Sequence, residues 1–419
     1  MKIGIKKITV VDSKSSYNNK QVDFIIQEGV ITEIGTNLSL DSCETIIDKP
    51  NSYLSKGWMD SSVSFGEPGY EDRETLENGL LTAAKSGFTA VALNPNNNPN
   101  PENQTHITFL KSKSADALTT LHPLGAITLN SEGKDLAELF DMQKAGAVGF
   151  TDYKKTMKDA NLQKIALQYL HNFSAPLISY SIDTDLKGKG MVHEGENSTK
   201  LGLKGIPSIA EAVGVSRNLT ILEYTGGKLH IPTISTKESI ALIKEAKSKK
   251  LNVSCSVAVH NLLFTDDKLQ GFNTNFKVLP PLRSETDRKA LIDAVLDGTI
   301  DCITTDHNPI DIERKKLEFD LADYGTIGLE SAFSSLLTIL PLAVVIEKLT
   351  SAKPIFNINE DEIKIGKKAN FTLFSTDNEW VFEEKNILSK SKNSAFLGAK
   401  QKGSVIATIN NNIIEFNHV

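Results

Sequence analysis

Apolar and polar residues alternate through KIGIKKITVVD (residues 2–12) and QVDFIIQEGVITEIG (residues 21–35), with Gly and Asn at the breaks. A period of two predicts half-buried antiparallel strands. The same alternation returns at the other end, in ANFTLFSTD (369–377) and GSVIATINNNIIEF (403–416). Two such ends around a long middle predict one discontinuous β module, residues 1–52 with 355–419, enclosing a second domain over 53–354. The middle has a different rhythm. Eight β-rich segments recur at 53–65, 88–96, 121–128, 146–152, 175–182, 228–235, 251–260 and 300–309, and amphipathic stretches separate them. In RETLENGLLTAAKSG, Leu76, Leu80, Ala83 and Ala84 share one helical face and Gly87 is placed to end the helix. In STKESIALIKEAKSKK, Ser235 or Thr236 is the N-cap before an apolar face of Ile240, Leu242, Ile243 and Ala246. Eight strand–helix repeats predict an α/β fold, a (β/α)8 TIM-like barrel closed on itself. In such barrels the chemistry sits at the C-terminal ends of the strands.

Composition narrows the partners. A formal net charge of −6 speaks against a nucleic-acid or membrane partner, and the lysine runs are punctuated by acidic residues, as solvated faces are. No run of about 18 apolar residues occurs, so no membrane span is expected. The N-terminus lacks a signal-peptide core, and a cytoplasmic location is the default expectation. Three widely spaced cysteines do not make a disulfide framework, and Cys255 and Cys302 sit in strand-like runs as buried, inert side chains. Trp58 and Trp380 are expected in a core or a domain interface.

Five stretches, in this order and spacing, carry a resemblance: GWMDSSVSFGEPGYEDRETLENGLLTAAKSGFTAVALNPNNNP (57–99), AGAVGFTD (145–152), GIPSIAEAVGVSRNLTILEYTGGKLHIPTIST (205–236), KVLPPLRSETDRKALIDAVLDGTIDCITTDHNPID (277–311) and YGTIGLESAF (324–333). Along nearly its whole length the chain resembles dihydroorotases of the long bacterial type, within the amidohydrolase superfamily. The resemblance implies a barrel with a small β-sandwich made from both termini. It implies reversible closure of carbamoyl aspartate to dihydroorotate in pyrimidine synthesis, on one or two zinc ions. Zinc lowers the pKa of its water from about 15.7 to about 7–9, which makes hydroxide available near neutrality.

The chain departs from that pattern at its centre. The family places two histidines after the strand-one aspartate; here Asp60 is followed by Ser62 and Ser64. Asp152 fits the bridging carboxylate of strand four. Tyr180 stands for the strand-five histidine. On strand six His230 is kept, but the ligand position is Thr233. On strand eight Asp306, the proton-handling residue, remains as a vestigial base, followed by His307. The eight histidines (106, 122, 171, 193, 230, 260, 307 and 418) include no two that are two, three or four apart, so no local pair can grip a metal. Alcohols, protonated and neutral at pH 7, are poor ligands. No metal or cofactor is therefore expected. Asp60, Asp152 and Asp306 could still draw a hard cation such as magnesium. The plainer expectation is that they accept hydrogen bonds from backbone or from the new hydroxyls. The substrate positions are altered too. Gly66 stands for the arginine that clamps the substrate carboxylate, Leu279 for an asparagine and Ile310 for a histidine, while Asn96 and His307 keep the family residues of the pocket. His230 is expected as a packed strand residue, His307 as a support for its own loop, and His260 without a role.

Three readings follow. The leading one is a non-catalytic dihydroorotase-like protein that serves as a structural or regulatory partner; by resemblance the partner is aspartate carbamoyltransferase, and a homodimer is also allowed. The second is an active cyclic-amide hydrolase with an atypical metal site or none. The third is a small-molecule-binding barrel whose pocket Asn96, Tyr180, His230 and Asp306 would line.

Overall fold

The computed structural model describes residues 1–359 and 362–417. Four positions of the expected terminal module, His418 among them, lie outside the described residues. Strands from both ends form one eight-stranded sheet. Phe371–Val381 pairs antiparallel with Ser52–Lys56 and with Lys400–Asn410, so the two termini are knitted directly together. The sheet curls around a core of its own that includes Ile3, Ile5, Phe24, Leu54, Phe371, Leu373 and Ile409.

Residues between these ends form the barrel. Its parallel strands are Trp58–Val63, Phe88–Leu93, Thr120–Pro123, Leu177–Ile178, Leu229–Ile231, Val253–Ala258 and Cys302–Thr304. The fourth position is filled by a segment that bridges only through Phe150, to Gly125 on one side and Leu177 on the other. Closure comes from the Val63–His307 bridge and the Ser64 N–H, which donates to the His307 carbonyl at 2.7 Å. Eight positions thus ring one axis. The structure belongs to the (β/α)8 class with a β-sandwich module.

The helices follow from their sequence marks. Leu76–Lys85 starts at the Thr75 cap, buries Leu76, Leu80, Ala83 and Ala84, and gives way to Gly87 at φ +96°. Of the two candidate caps for the helix Lys237–Ser248, Thr236 takes the role; its hydroxyl accepts from the Ser239 N–H. Trp58 lies in the seam between barrel and sandwich, with Phe88, Phe333 and Phe374 around it and its indole N–H on Ser55. Cys255 and Cys302 are buried and unpaired; burial pushes the Cys255 thiol far up and that of Cys302 to about 12, so both stay protonated.

One feature lies over the barrel mouth that the hydrophobic pattern does not announce. After strand five the chain makes a two-stranded parallel ribbon, Val192–His193 with Gly205–Ile206. Ile206 joins Tyr180, Ile182, Ala210 and Leu279 in an apolar cluster, with Tyr324 packed against it. No helix among the described residues is long and apolar enough to cross a membrane.

Candidate functional site

The site is built where strands one, two, four and eight end. Asp60, on strand one, is buried and turned across to strand eight. It accepts from the Thr304 hydroxyl, from the Thr305 N–H at 3.0 Å and from the Ser62 N–H at 3.0 Å. Burial outweighs these bonds and pushes its carboxyl up to about 6. Ser62 donates to Asp306 at 3.4 Å, and Asn94 donates from strand two to the hydroxyls of Ser62 (3.1 Å) and Ser64 (3.3 Å). The two residues at the family's histidine positions are thus held in a hydrogen-bond chain that ends on Asp306.

Asp306 is held differently. Its backbone lies in the left-handed region at φ +50°, where a non-glycine residue is strained. The Lys154 ammonium donates to its Oδ2 at 2.6 Å, and both side chains are mostly buried, at 13% and 3% exposed. Lys154 arrives here because Tyr153 also turns left-handed, at φ +57°, just past the fourth strand position. Burial pushes the Asp306 carboxyl up and Lys154 opposes that rise. Burial alone would lower Lys154, but the Asp306 carboxylate and the Tyr153 phenol outweigh it and hold the ammonium above its ordinary range. The pair is ionised and mutually neutral. Lys154 thus occupies one carboxylate oxygen of Asp306 and the Ser62 hydroxyl the other.

The remaining free space is about 20 Å³, lined by Ser62, Asn94, Tyr153, Lys154, Tyr180 and Asp306, with Thr233 also at its edge. That is room for about one water molecule. The buried Tyr180 hydroxyl has no protein partner, and burial pushes its pKa well above the ordinary phenol.

The expected site residues separate into two groups. Ser62, Tyr180, Thr233 and Asp306 come together, and Ser64 joins through Asn94. Asp152 does not. Its oxygens accept from the N–H groups of Ile127 and Thr128, both at 3.1 Å, and from the Thr128 hydroxyl at 2.6 Å. These are three strong reasons for the carboxylate to face the strand-three loop and not the barrel axis. His230 lies deeper, between Ser254 (2.9 Å) and Ser256 (3.2 Å), with its pKa pulled down to about 3 by burial. His307 uses Nδ1 to accept from the Gly328 and Leu329 N–H groups. Of the four residues expected to line a binding pocket, only Tyr180 and Asp306 do so; Asn96 and His230 do not.

The substrate-side positions are closed by packing. A Cβ on Gly66 would stand 1.7 Å from the Tyr70 carbonyl oxygen, so no side chain enters there without moving the 66–76 turn. Leu279 is buried in the cluster over the mouth, and Ile310 is buried under the strand-eight loop, where its N–H donates to Asn393. Lys154, Asn94 and Thr304 are the residues that sequence reasoning missed. No signal in the sequence marks them: in TDYKK a regular strand would put Lys154 on the side of Asp152, which faces the strand-three loop.

The donor set does not fit a zinc ion. Neutral hydroxyls stand on strands one, five and six, and a cation already sits against Asp306. Among the described residues no group of three or more His, Cys, Asp or Glu side chains converges.

A family model described as Dihydro-orotase-like matches residues 53–239. A dihydroorotase of Acetivibrio thermocellus is 36% identical over 419 residues, covering 98% of both chains. One of Pelotomaculum thermopropionicum is 38% identical over 416 residues, covering 98% of this chain and 97% of its own. Among solved structures, the L-hydantoinase of Arthrobacter aurescens superposes with a TM-score of 0.85 at 20% identity, covering 98% of this chain and 95% of its own. A D-hydantoinase of Thermus sp. gives 0.83 at 19%, covering 99% and 96%. These two likenesses concern the fold alone.

Proposed function

The chain belongs to the dihydroorotase family, and from that premise we propose that it is a non-catalytic member, placed in pyrimidine biosynthesis as a structural or regulatory partner. Aspartate carbamoyltransferase is the partner to which the family resemblance points. The observation that carries this reading is the buried Lys154–Asp306 ion pair at 2.6 Å. In a metal-dependent cyclic amidohydrolase the aspartate at this position must accept and return a proton. Here its charge is balanced from within the chain by a lysine that cannot polarise a carbonyl as a divalent ion does. Without a divalent ion the main means of generating hydroxide near neutrality is missing from this residue set. Closure of the mouth supports the same reading. Space for about one water molecule holds neither carbamoyl aspartate nor dihydroorotate, which counts against both an active hydrolase and a barrel that binds such ligands at this place.

The test is an assay in both directions, with dihydroorotate and with carbamoyl aspartate, with and without added zinc, alongside metal analysis of the purified chain. The expected result is no turnover above background and substoichiometric zinc. Turnover that disappears in Asp306→Ala would overturn the proposal. Copurification from the native cell then tests the partner role: recovery of aspartate carbamoyltransferase in stoichiometric amount is expected, and its consistent absence would remove that partner.

A further inference from the structure

A second cavity lies outside the plugged mouth, between the strand-eight loop and the segment at 390–393. Its volume is about 610 Å³, and four lysines line it: Lys315, Lys316, Lys390 and Lys392. Among the described residues Asp72 and Asp311 are the only acidic residues of the lining, and Asp311 is drawn away by Arg73 and Arg314 at 3.6 and 3.9 Å. In a chain with a formal net charge of −6 this is a local excess of positive charge. None of the four ammonium groups is in an ion pair among the described residues. Those with hydrogen bonds give them to backbone carbonyls. Lys315 donates to Lys277 (3.2 Å) and Asp323 (2.9 Å), Lys390 to Glu71 (2.6 Å), and Lys392 to Ile387 and Ser389 (both 2.9 Å). An ammonium has three N–H donors. So Lys315 and Lys392 each keep one donor, Lys390 keeps two, and the exposed Lys316 keeps all of its own. Lys315 is also buried, 4% exposed, with its charge uncompensated by any carboxylate bond; burial, with Lys277 close by, pulls it down to about 7.

We propose that this cavity binds a phosphorylated small molecule. Phosphate oxygens suit several lysines with spare donors around one cavity, and lysine serves phosphate as a point charge. The fork geometry that favours carboxylates is missing here, because no arginine lines the cavity. The 70% exposed Ile312 supplies an apolar shelf for the organic part of such a ligand. The site is separate from the Lys154–Asp306 plug, so it stands or falls independently of whether the barrel catalyses anything.

Calorimetric titration of the full chain with inorganic pyrophosphate, adenosine diphosphate and citrate tests the assignment. The variants are Lys316→Ala/Lys392→Ala, whose side chains are exposed, and the control Lys134→Ala/Lys200→Ala, which removes the same charge elsewhere on the surface. Saturable binding of both phosphate compounds is expected, about tenfold weaker or more in the first variant, as loss of charge-assisted hydrogen bonds implies, and unchanged in the control. No saturable binding by the native chain would overturn the proposal. So would equal loss in the control, unchanged affinity in Lys316→Ala/Lys392→Ala, or binding of citrate in preference to both phosphates.

Discussion

Truncating Lys154 to methionine leaves the Asp306 carboxylate buried, 3% exposed, with only the Ser62 hydroxyl at 3.4 Å for company. Breaking a buried pair from one side destabilises by about 3–5 kcal/mol, because the surviving charge has lost its compensation. Lys154→Met is therefore expected to lower unfolding stability by that amount, measured by urea denaturation at pH 7. Asp306→Asn added to it is expected to recover most of the loss, since neither charge then remains. A loss below about 1 kcal/mol, the range of a surface pair, would mean that the pair does not fill the role argued for it. That hydroxyls stand at Ser62, Ser64, Tyr180 and Thr233, where the resemblance expects histidines, is legible in the sequence. The Lys154–Asp306 pair is not. The resemblance points to Asp152 as the inward carboxylate, but the backbone turns left-handed at Tyr153, φ +57°. A backbone reversal of one residue is decided by packing, and it carries Lys154 to the axis.

At the scale of single elements, Asp152 is the pin between the fourth strand position and the loop that follows strand three. It satisfies two backbone N–H groups and one hydroxyl, and Thr128, so held, in turn accepts from the Gly133 N–H at 2.9 Å. Burial pushes the Asp152 carboxyl up, against those bonds. In Asp152→Ala three donors lose a charged acceptor at once, and each such loss is worth about 1.5–3 kcal/mol. The expected outcome is a fall in stability of about 3 kcal/mol or more, with faster amide exchange confined first to residues 127–133. Exchange spread evenly over the barrel would show that Asp152 does not act as a local pin. Elements with a strong period were readable beforehand, such as the helix Leu76–Lys85 with its four buried apolar residues. The ribbon at 192–193 and 205–206 was not, since two residues on each side carry no period. Yet this ribbon supplies Ile206 to the cluster that shuts the mouth.

Over the whole molecule, folding buries several histidines in neutral form, which gives stability a definite dependence on pH. His230 and His260 are both fully buried, and burial pulls each from an ordinary 6.5 down to about 3. Between those limits the unfolded chain binds a proton that the folded chain refuses at each site. Their contribution is complete above pH 6.5 and is lost as pH falls, at about 1.4 kcal/mol per unit for each. His122 and His193, pulled down to about 4, act in the same direction. Asp60 acts oppositely: its folded carboxyl sits at about 6, above the unfolded value, so it regains about 1.4 kcal/mol per unit as pH drops below 6. Asp152 and Asp306, whose carboxyls burial also pushes up, act on the side of Asp60, and His307, pulled down to about 4, on the side of the other histidines. Stability is expected to fall on acidification from pH 7 as the histidines lose their contribution, with the raised carboxyls offsetting part of the fall. His260 offers the discriminating variant, because both of its ring nitrogens are buried without a partner. An unsatisfied buried polar group costs about 1–3 kcal/mol, so His260→Leu, a replacement of similar size, is expected to be more stable than the native chain at pH 7. Its loss of stability below pH 6.5 should be shallower by one proton. Denaturation midpoints measured at pH 7, 6 and 5 for both chains decide the matter: parallel curves would place the acid sensitivity somewhere other than His260, and a native chain that gains stability on acidification would reverse the sign of the whole account.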